Sequence, residues 1–164
     1  MDESPLARAR AKALRLLAAR PRTAAEIRAR LERAGHQAEA GEVLSWLEGL
    51  GYLDDEAYAR ARAESLLAPG RLGPRMAERR LASAGIPPEM ARRAIAGALG
   101  AGEGARGVEA ARCRALAARR APGPLGELDE KERARLARFL LGRGFSGAAV
   151  SATLGVHVDD DFGR

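Results

Sequence analysis

The chain of 164 residues and 17.4 kDa is long enough to bury a hydrophobic core without disulfide bonds. Its single cysteine, Cys113, cannot pair within the chain, which excludes a disulfide scaffold and indicates a reducing cytoplasm. His36 and His157 lie far apart with no cysteine pair or carboxylate cluster at ligand spacing, so we expect no metal and no cofactor. No apolar run approaches the roughly 20 residues that span a bilayer, so we expect a soluble cytoplasmic protein with no membrane partner.

The composition predicts an all-α fold with an unevenly distributed positive charge. Alanine and leucine dominate the apolar residues, and five valines, three isoleucines and two threonines are too few to build a sheet. The net charge of +6 comes from 26 arginines and two lysines against 22 acids. Residues 61–120 alone carry twelve basic and five acidic side chains. This concentration favours a polyanionic partner, and a solvated arginine face is the alternative interpretation.

Apolar spacing and helix-start residues predict nine helices. Thr23-Ala24-Ala25-Glu26 is a capping box, and Pro74 and the Pro87-Pro88 pair suit the first turn of a helix. The segment 121–126 contains two prolines and two glycines, which predicts a linker or extended loop. The predicted helices span residues 5–20, 23–34, 38–49, 54–68, 74–84, 87–99, 104–119, 129–142 and 146–154.

An internal repeat emerges when Gly35, Gly85 and Gly144 are superposed. A leucine stands four residues before each glycine, which is typical of a helix that ends in a left-handed glycine, and a further apolar helix follows each one. The sequence therefore predicts three tandem three-helix repeats that form an elongated, curved array. We expect the repeats at residues 1–50, 51–101 (basic) and 102–156, with an insertion at 121–126 and an acidic tail at 157–164.

Three segments of the chain carry recognisable motifs: the first repeat contains the segment 16–27, the junction 51–59 reads Gly-Tyr-Leu-Asp-Asp-Glu-Ala-Tyr-Ala, and 140–145 reads Leu-Leu-Gly-Arg-Gly-Phe. Together with the three tandem three-helix repeats, these segments resemble the RecX family, regulators of the RecA recombinase. The resemblance covers about residues 6–154. The near absence of lysine and the insertion depart from the family pattern, which is silent on the acidic tail.

The resemblance implies a negative regulator that binds the RecA nucleoprotein filament along its groove, and we expect the protein to be a monomer. Such a protein limits filament extension, ATP hydrolysis, strand exchange and repressor cleavage, and so acts in recombination, DNA repair and the SOS response. Single-stranded DNA, and double-stranded DNA as a further ligand, are the implied nucleic-acid partners.

The acidic run 54–56 at the first junction is interpreted as structural. Asp54 stands where an N-cap belongs, and the acids after it complement the positive end of the helix dipole. Tyr52 and Leu53 are expected to pack as the lead into this helix. The residues assigned to structural motifs are Tyr52, Leu53, Asp54, Asp55, Tyr58, Arg143, Gly144 and Phe145.

No motif supports an enzyme, and we assign no catalytic residue. The glycine-rich stretch 97–107 is followed by no Gly-Lys-Ser/Thr and preceded by no strand, so it is interpreted as a hinge between the second and third repeats. Ser, His and Asp occur without a nucleophile elbow or a spacing that would bring them together.

Arginines in and around the middle repeat are the candidate binding residues, because helical spacing places several of them opposite the apolar faces. Guanidinium groups bind phosphates and acidic side chains. Aromatic residues make up only 4% of the chain, which argues against a base-stacking platform. The candidate partner- and nucleic-acid-binding residues are Arg71, Arg75, Arg79, Arg80, Arg92, Arg93, Arg112, Arg114, Arg119 and Arg120.

Two other functional classes remain open at this point. Helix pairs such as 23–34 and 38–49 could form a helix-turn-helix DNA-binding protein, which predicts a discrete duplex footprint and usually a dimer. A helical-repeat adaptor for an unrelated protein predicts little effect of nucleic acid.

Overall fold

The computed structural model describes residues 4–100 and 102–158, which form nine α-helices, one short 3₁₀ turn and no β-strand. The predicted all-α fold is confirmed, with helix boundaries within a few residues of those expected. The predicted acidic tail lies outside the described residues apart from His157 and Val158. The helices are α1 (Pro5–Ala19), α2 (Ala24–Glu32), α3 (Ala40–Gly49), α4 (Asp55–Leu67), α5 (Pro74–Ser83), α6 (Pro88–Leu99), α7 (Glu103–Arg120), α8 (Glu130–Gly142) and α9 (Gly147–Leu154).

The helix starts follow the sequence signals. Thr23 forms the predicted capping box with Glu26, because its side chain accepts from the Glu26 N–H while the Glu26 carboxylate accepts from the Thr23 N–H. Asp129 and Glu132 repeat this arrangement at the start of α8. Pro74 occupies the first turn of α5, where its missing N–H has no intrahelical partner to lose.

The described residues form three hydrophobic cores, one for each group of three consecutive helices. We call these groups unit 1 (α1–α3), unit 2 (α4–α6) and unit 3 (α7–α9). Leu31, Leu81 and Leu140 are completely buried at the centres of their respective cores. Because each core is built mainly from the helices of one unit, the structure is the helical repeat that the sequence predicts. The elongated, curved shape of the array stays a prediction.

The glycine that ends the second helix of each unit adopts the left-handed conformation that the repeat predicts. Gly35, Gly85 and Gly144 have φ angles of +83°, +82° and +88°. After each of them, the next residue donates its backbone N–H to the carbonyl of the equivalent leucine, at 3.0 to 3.3 Å. The three turns therefore share one hydrogen-bond pattern, which a side chain at the glycine position would strain.

The insertion in unit 3 is more ordered than the expected extended loop. The 3₁₀ turn Leu125–Glu127 overlaps its end, and Leu125 and Leu128 pack against the third core. Arg133 donates hydrogen bonds to the carbonyls of Leu128, Gly126 and Leu154. These contacts hold the insertion against α8 and the end of α9. They form because the leucines and the arginine lie close enough in sequence to the Pro/Gly stretch to fold back on it.

The glycine-rich stretch between units 2 and 3 differs from the predicted hinge. Gly97 lies within α6, and Gly104 and Gly107 lie within α7. Gly100 and Gly102, both with positive φ, stand between the two helices. The connection is short because glycine, although a weak helix former, is tolerated in a helix that packs against its neighbours.

Candidate partner-binding surface

The arginines of α5 and α6 lie on the outer side of unit 2. On α5, Ala77 and Leu81 are buried in the core. Helical spacing turns the α5 arginines away from this stripe, and the α6 arginines likewise point away from buried Ala91 and Ala94. The arginines exposed on this surface are Arg75, Arg79, Arg80, Arg92 and Arg93, together with Arg71 in the preceding loop.

Acidic side chains compensate the charge of the two α6 arginines. Arg92 forms ion pairs with Glu89 and, at 3.8 Å, with Glu78. Arg93 forms an ion pair with Glu56 of α4 at 3.1 Å. Among the described residues, Arg71, Arg79 and Arg80 have no such partner. On this surface, the uncompensated positive charge therefore lies in the loop before α5 and on α5 itself.

The four candidate arginines of α7 occupy different environments. Arg112 is half-buried, and its guanidinium donates to the Leu67 carbonyl at the end of α4, at 3.0 Å. This hydrogen bond joins unit 3 to unit 2, a structural contact that the sequence did not predict. Arg120 lies over the Phe139 ring with 5.3 Å to the centroid, while Arg114 and Arg119 are exposed.

Each of the three carboxylates in the acidic run 54–56 has a structural role. Asp54 caps α4 by accepting from the Ala57 N–H at 2.8 Å, as predicted. Asp55 accepts from the Ala24 N–H at 2.9 Å, so it caps the first turn of α2 in the neighbouring unit. Glu56 pairs with Arg93. Through Asp55, the run therefore joins units 1 and 2.

The expectation that Tyr52 packs with Leu53 is wrong for the tyrosine. Leu53 is buried in the first core, whereas Tyr52 is 61% exposed. Tyr52 lies in the turn that follows α3, where its N–H donates to the Leu47 carbonyl and its side chain stays in solvent. Tyr58, one turn into α4, is half-buried and packs against the second core.

The end of α8 contacts the start of α5, which joins units 2 and 3. The N–H groups of Gly73 and Arg75 donate to the carbonyls of Arg143 and Gly144, at 2.9 and 3.0 Å. These carbonyls satisfy donors at a helix start that has no side-chain cap. Phe145, the last residue of the Arg-Gly-Phe motif, is buried in the third core.

The same arrangement recurs where α5 ends against α2. The Thr23 hydroxyl donates to the carbonyl of Ala84, which precedes Gly85 as Arg143 precedes Gly144. A Cβ atom at Gly85 would clash with the Ala25 side chain, and one at Gly144 would clash with the Met76 backbone. Helices α8, α5 and α2 therefore meet end to end, and two of the three repeat glycines permit the close approach.

Two titratable groups at the start of α2 have shifted pKa values. Hydrogen bonding to Glu26 raises the pKa of Arg20, and the Glu26 charge adds to this effect. Burial acts to raise the pKa of the Glu26 carboxyl, but hydrogen bonds from Arg20 and the Thr23 N–H outweigh it and lower that pKa. The pair, at 2.8 Å, therefore favours the charged form of both side chains.

The described residues offer no site for metal chemistry. No group of three or more His, Cys, Asp or Glu side chains among them could hold a metal ion. Burial raises the pKa of the Cys113 thiol, although a hydrogen bond with Thr153 opposes the shift.

Within the part of the chain that the structure covers, no helix combines the length and apolar character needed to cross a membrane.

Three-helix units joined end to end, with arginines along an outer surface, define a helical-repeat protein. Family models described as "RecX, first three-helix domain" and "RecX, third three-helix domain" match residues 9–47 and 108–154. Together these two matches cover about half of the chain, and each falls within one unit. The chain belongs to the RecX family.

Two curated relatives agree with this assignment, and two solved structures share the fold. The chain is 49% identical over 65 residues to the regulatory protein RecX from each of two strains of Thermus thermophilus. The matched segment spans 40% of this chain and 44% of each relative, less than half of the relatives' length.

The crystal structure of RecX from Lactobacillus salivarius covers 92% of this chain and 95% of its own, with 18% identity and a TM-score of 0.79. A second crystal structure, of regulatory protein RecX, covers 92% of this chain and 73% of its own, with 20% identity and a TM-score of 0.78. These two likenesses bear on the fold alone.

Sequence reasoning missed a set of polar residues where units 1 and 2 meet. Arg62 of α4 and Arg20 after α1 line one cleft together with Arg80, which the sequence did single out. Charge clustering along the chain could not reveal this set, because the three arginines come from distant segments. The spacing of Tyr58, Arg62 and Ser65 on α4 was the available signal, since residues three and four apart share one helix face.

Proposed function

We propose that the protein is a non-enzymatic negative regulator of the RecA recombinase that acts in the cytoplasm. It binds the RecA nucleoprotein filament and limits filament extension, ATP hydrolysis, strand exchange and repressor cleavage. Membership of the RecX family supports the regulatory role. The observation that carries the proposal for this chain is the outward arginine surface of α5, whose charge is uncompensated at Arg79 and Arg80.

Electrostatic contact with a polyanionic filament suits this surface. A nucleoprotein filament presents DNA phosphates and acidic side chains, and both accept hydrogen bonds from guanidinium groups. The Arg-rich face lies opposite the core, so a partner could cover it without disturbing the fold. Contact through exposed arginines also makes binding weaker as the salt concentration rises.

The direct test measures ATP hydrolysis by RecA on single-stranded DNA with and without this protein. We expect hydrolysis to fall as the protein is added. Unchanged hydrolysis at saturating protein would contradict the proposal. A discrete duplex footprint with no effect on RecA would instead indicate a helix-turn-helix DNA-binding protein, and binding to neither would indicate an adaptor for another protein.

A matched pair of variants tests whether the uncompensated arginines carry the contact. The variant Arg71→Ala/Arg79→Ala removes two charges that have no ion-pair partner in the described structure. The control Arg92→Ala/Arg93→Ala removes two charges that acidic side chains already compensate. We expect the first variant to need more protein for half-maximal inhibition than the control. Equal weakening in both would mean that only total charge matters.

A further inference from the structure

A cleft of about 650 Å³ opens where unit 1 meets unit 2. Helix α4 contributes Tyr58, Arg62 and Ser65 at four- and three-residue spacing, which places them on one helix face. Arg80 reaches the cleft from α5, and Arg20 from the segment between α1 and α2. Guanidinium and hydroxyl groups from three separate elements therefore line one cavity of a size typical of ligand sites.

The charges inside the cleft do not cancel. Glu26, the acid in the lining, is held by Arg20 at 2.8 Å and by the Thr23 N–H, so these two opposite charges compensate each other. Arg62 and Arg80 have no ion pair among the described residues, and they leave the lining with two uncompensated positive charges. Ser83 adds no donor, because its hydroxyl already donates to the Arg79 carbonyl.

We propose that this cleft binds the sugar-phosphate backbone of a DNA strand. A phosphodiester presents acceptor oxygens in several directions, whereas a carboxylate presents them in one plane. Unpaired donors from two separate helices, α4 and α5, line the cleft, which suits the phosphate group. Arg62 and Arg80 bind the phosphate oxygens, and the Ser65 and Tyr58 hydroxyls add hydrogen bonds. The inference rests on the proposed function for the source of the strand, the filament's own DNA.

The cleft variant Arg62→Ala/Arg80→Ala tests this site with a fluorescent oligothymidylate and fluorescence anisotropy. The matched control is Arg28→Ala/Arg135→Ala, which removes two exposed arginines that do not line the cleft. At low salt we expect the cleft variant to bind at least about tenfold more weakly than the control. The slope of log affinity against log salt should flatten by about 0.7 for each phosphate that the variant no longer neutralises. Equal binding by the cleft variant and the control would overturn the proposal.

Two further measurements separate this site from its alternatives. The variant Arg62→Lys/Arg80→Lys keeps the charge but not the planar fork, so it should restore the salt slope and only part of the affinity. Inorganic phosphate or ATP, added as a competitor, should displace the oligonucleotide less effectively than unlabelled strand at equal phosphate concentration. Equal displacement would make the cleft a site for free anions and would overturn the assignment to a strand.

Inhibition of RecA distinguishes failure of this inference from failure of the proposed function. If wild-type protein inhibits RecA and the cleft variant loses inhibition but still binds the oligonucleotide, the cleft contacts protein and the phosphate assignment is wrong. If the cleft variant loses oligonucleotide binding while even the wild-type protein leaves RecA unaffected, the cleft assignment is supported and the proposed function fails. Circular dichroism spectra and melting curves should be the same for the wild type, the cleft variant and the control, since all four substituted arginines are exposed and have no ion-pair partner among the described residues.

Discussion

Replacing each of the three repeat glycines with alanine measures how much the end-to-end helix contacts contribute to the free energy of unfolding. All three residues have φ near +80° to +90°, so each substitution carries the backbone cost of a left-handed alanine, about 1–2 kcal/mol. At Gly35 a Cβ atom meets nothing within 4 Å, so this backbone cost is the whole effect. The Gly35→Ala variant is therefore an internal control for the other two.

Gly144→Ala adds a clash that Gly35→Ala lacks. The new Cβ would lie 2.9 Å from the Met76 Cα and closer still to the Met76 nitrogen, so backbone at the start of α5 must move. Overpacking of this kind costs about 1–3 kcal/mol, and the hydrogen bonds from Gly73 and Arg75 would weaken with it. We expect a total loss of about 2–5 kcal/mol in the free energy of unfolding.

Urea unfolding followed by far-ultraviolet circular dichroism compares the three variants. Gly85→Ala should fall between the others, because its Cβ would meet the Ala25 side chain closely but the Ala25 Cα only at 3.7 Å. If Gly144→Ala and Gly35→Ala lose the same stability within about 0.5 kcal/mol, the close approach of α8 to α5 contributes nothing and the reasoning is refuted.

Three more predictions test the cores and the titratable groups. Leu81→Ala should lower the free energy of unfolding by about 2–5 kcal/mol, because Leu81 is completely buried in the second core; a loss below about 1 kcal/mol in urea unfolding would contradict its role. The pKa of Glu26 is lower in the folded protein than in the unfolded chain, where it is about 4.3. Ionised Glu26 therefore stabilises the fold above that pH, and this stabilisation is lost as the pH falls through the folded-state pKa. Glu26→Gln should therefore lose less stability than wild type between about pH 6 and pH 3, and identical pH curves would refute the pair with Arg20. Buried Cys113 should react with a thiol reagent only when denaturant opens unit 3, and rapid labelling of the native protein would show that the thiol is accessible.

The helices and the repeat frame could be predicted because their signals are local. The capping box at Thr23, the proline at Pro74 and the leucine four residues before Gly144 each act within one or two turns. Short-range hydrogen bonds and apolar periodicity decide such elements, so single-sequence reasoning reaches them.

The contacts between units could not be predicted because they join residues distant in sequence. The Thr23 hydroxyl bonds to a carbonyl 61 residues away, and Asp55 caps a helix that begins 31 residues earlier. Both residues already have a sufficient local explanation as helix-start residues, so nothing in the sequence signals the second partner. Arg112 is a similar case, since its position in a basic helix indicated a phosphate contact while its guanidinium bonds to Leu67.

Because α8, α5 and α2 meet end to end, two properties of the binding surface can be varied separately: the charge on one unit and the spacing between units. Arginine substitutions on α5 change the charge and leave the backbone contacts between units intact. Gly144→Ala changes no charge but shifts unit 3 relative to unit 2. If the filament contacts arginines on more than one unit at once, Gly144→Ala should weaken RecA inhibition more than Gly35→Ala at a temperature where both variants are fully folded. If a single unit carries the contact, the two variants should inhibit equally, because a shift of one unit relative to another leaves the surface of each single unit unchanged.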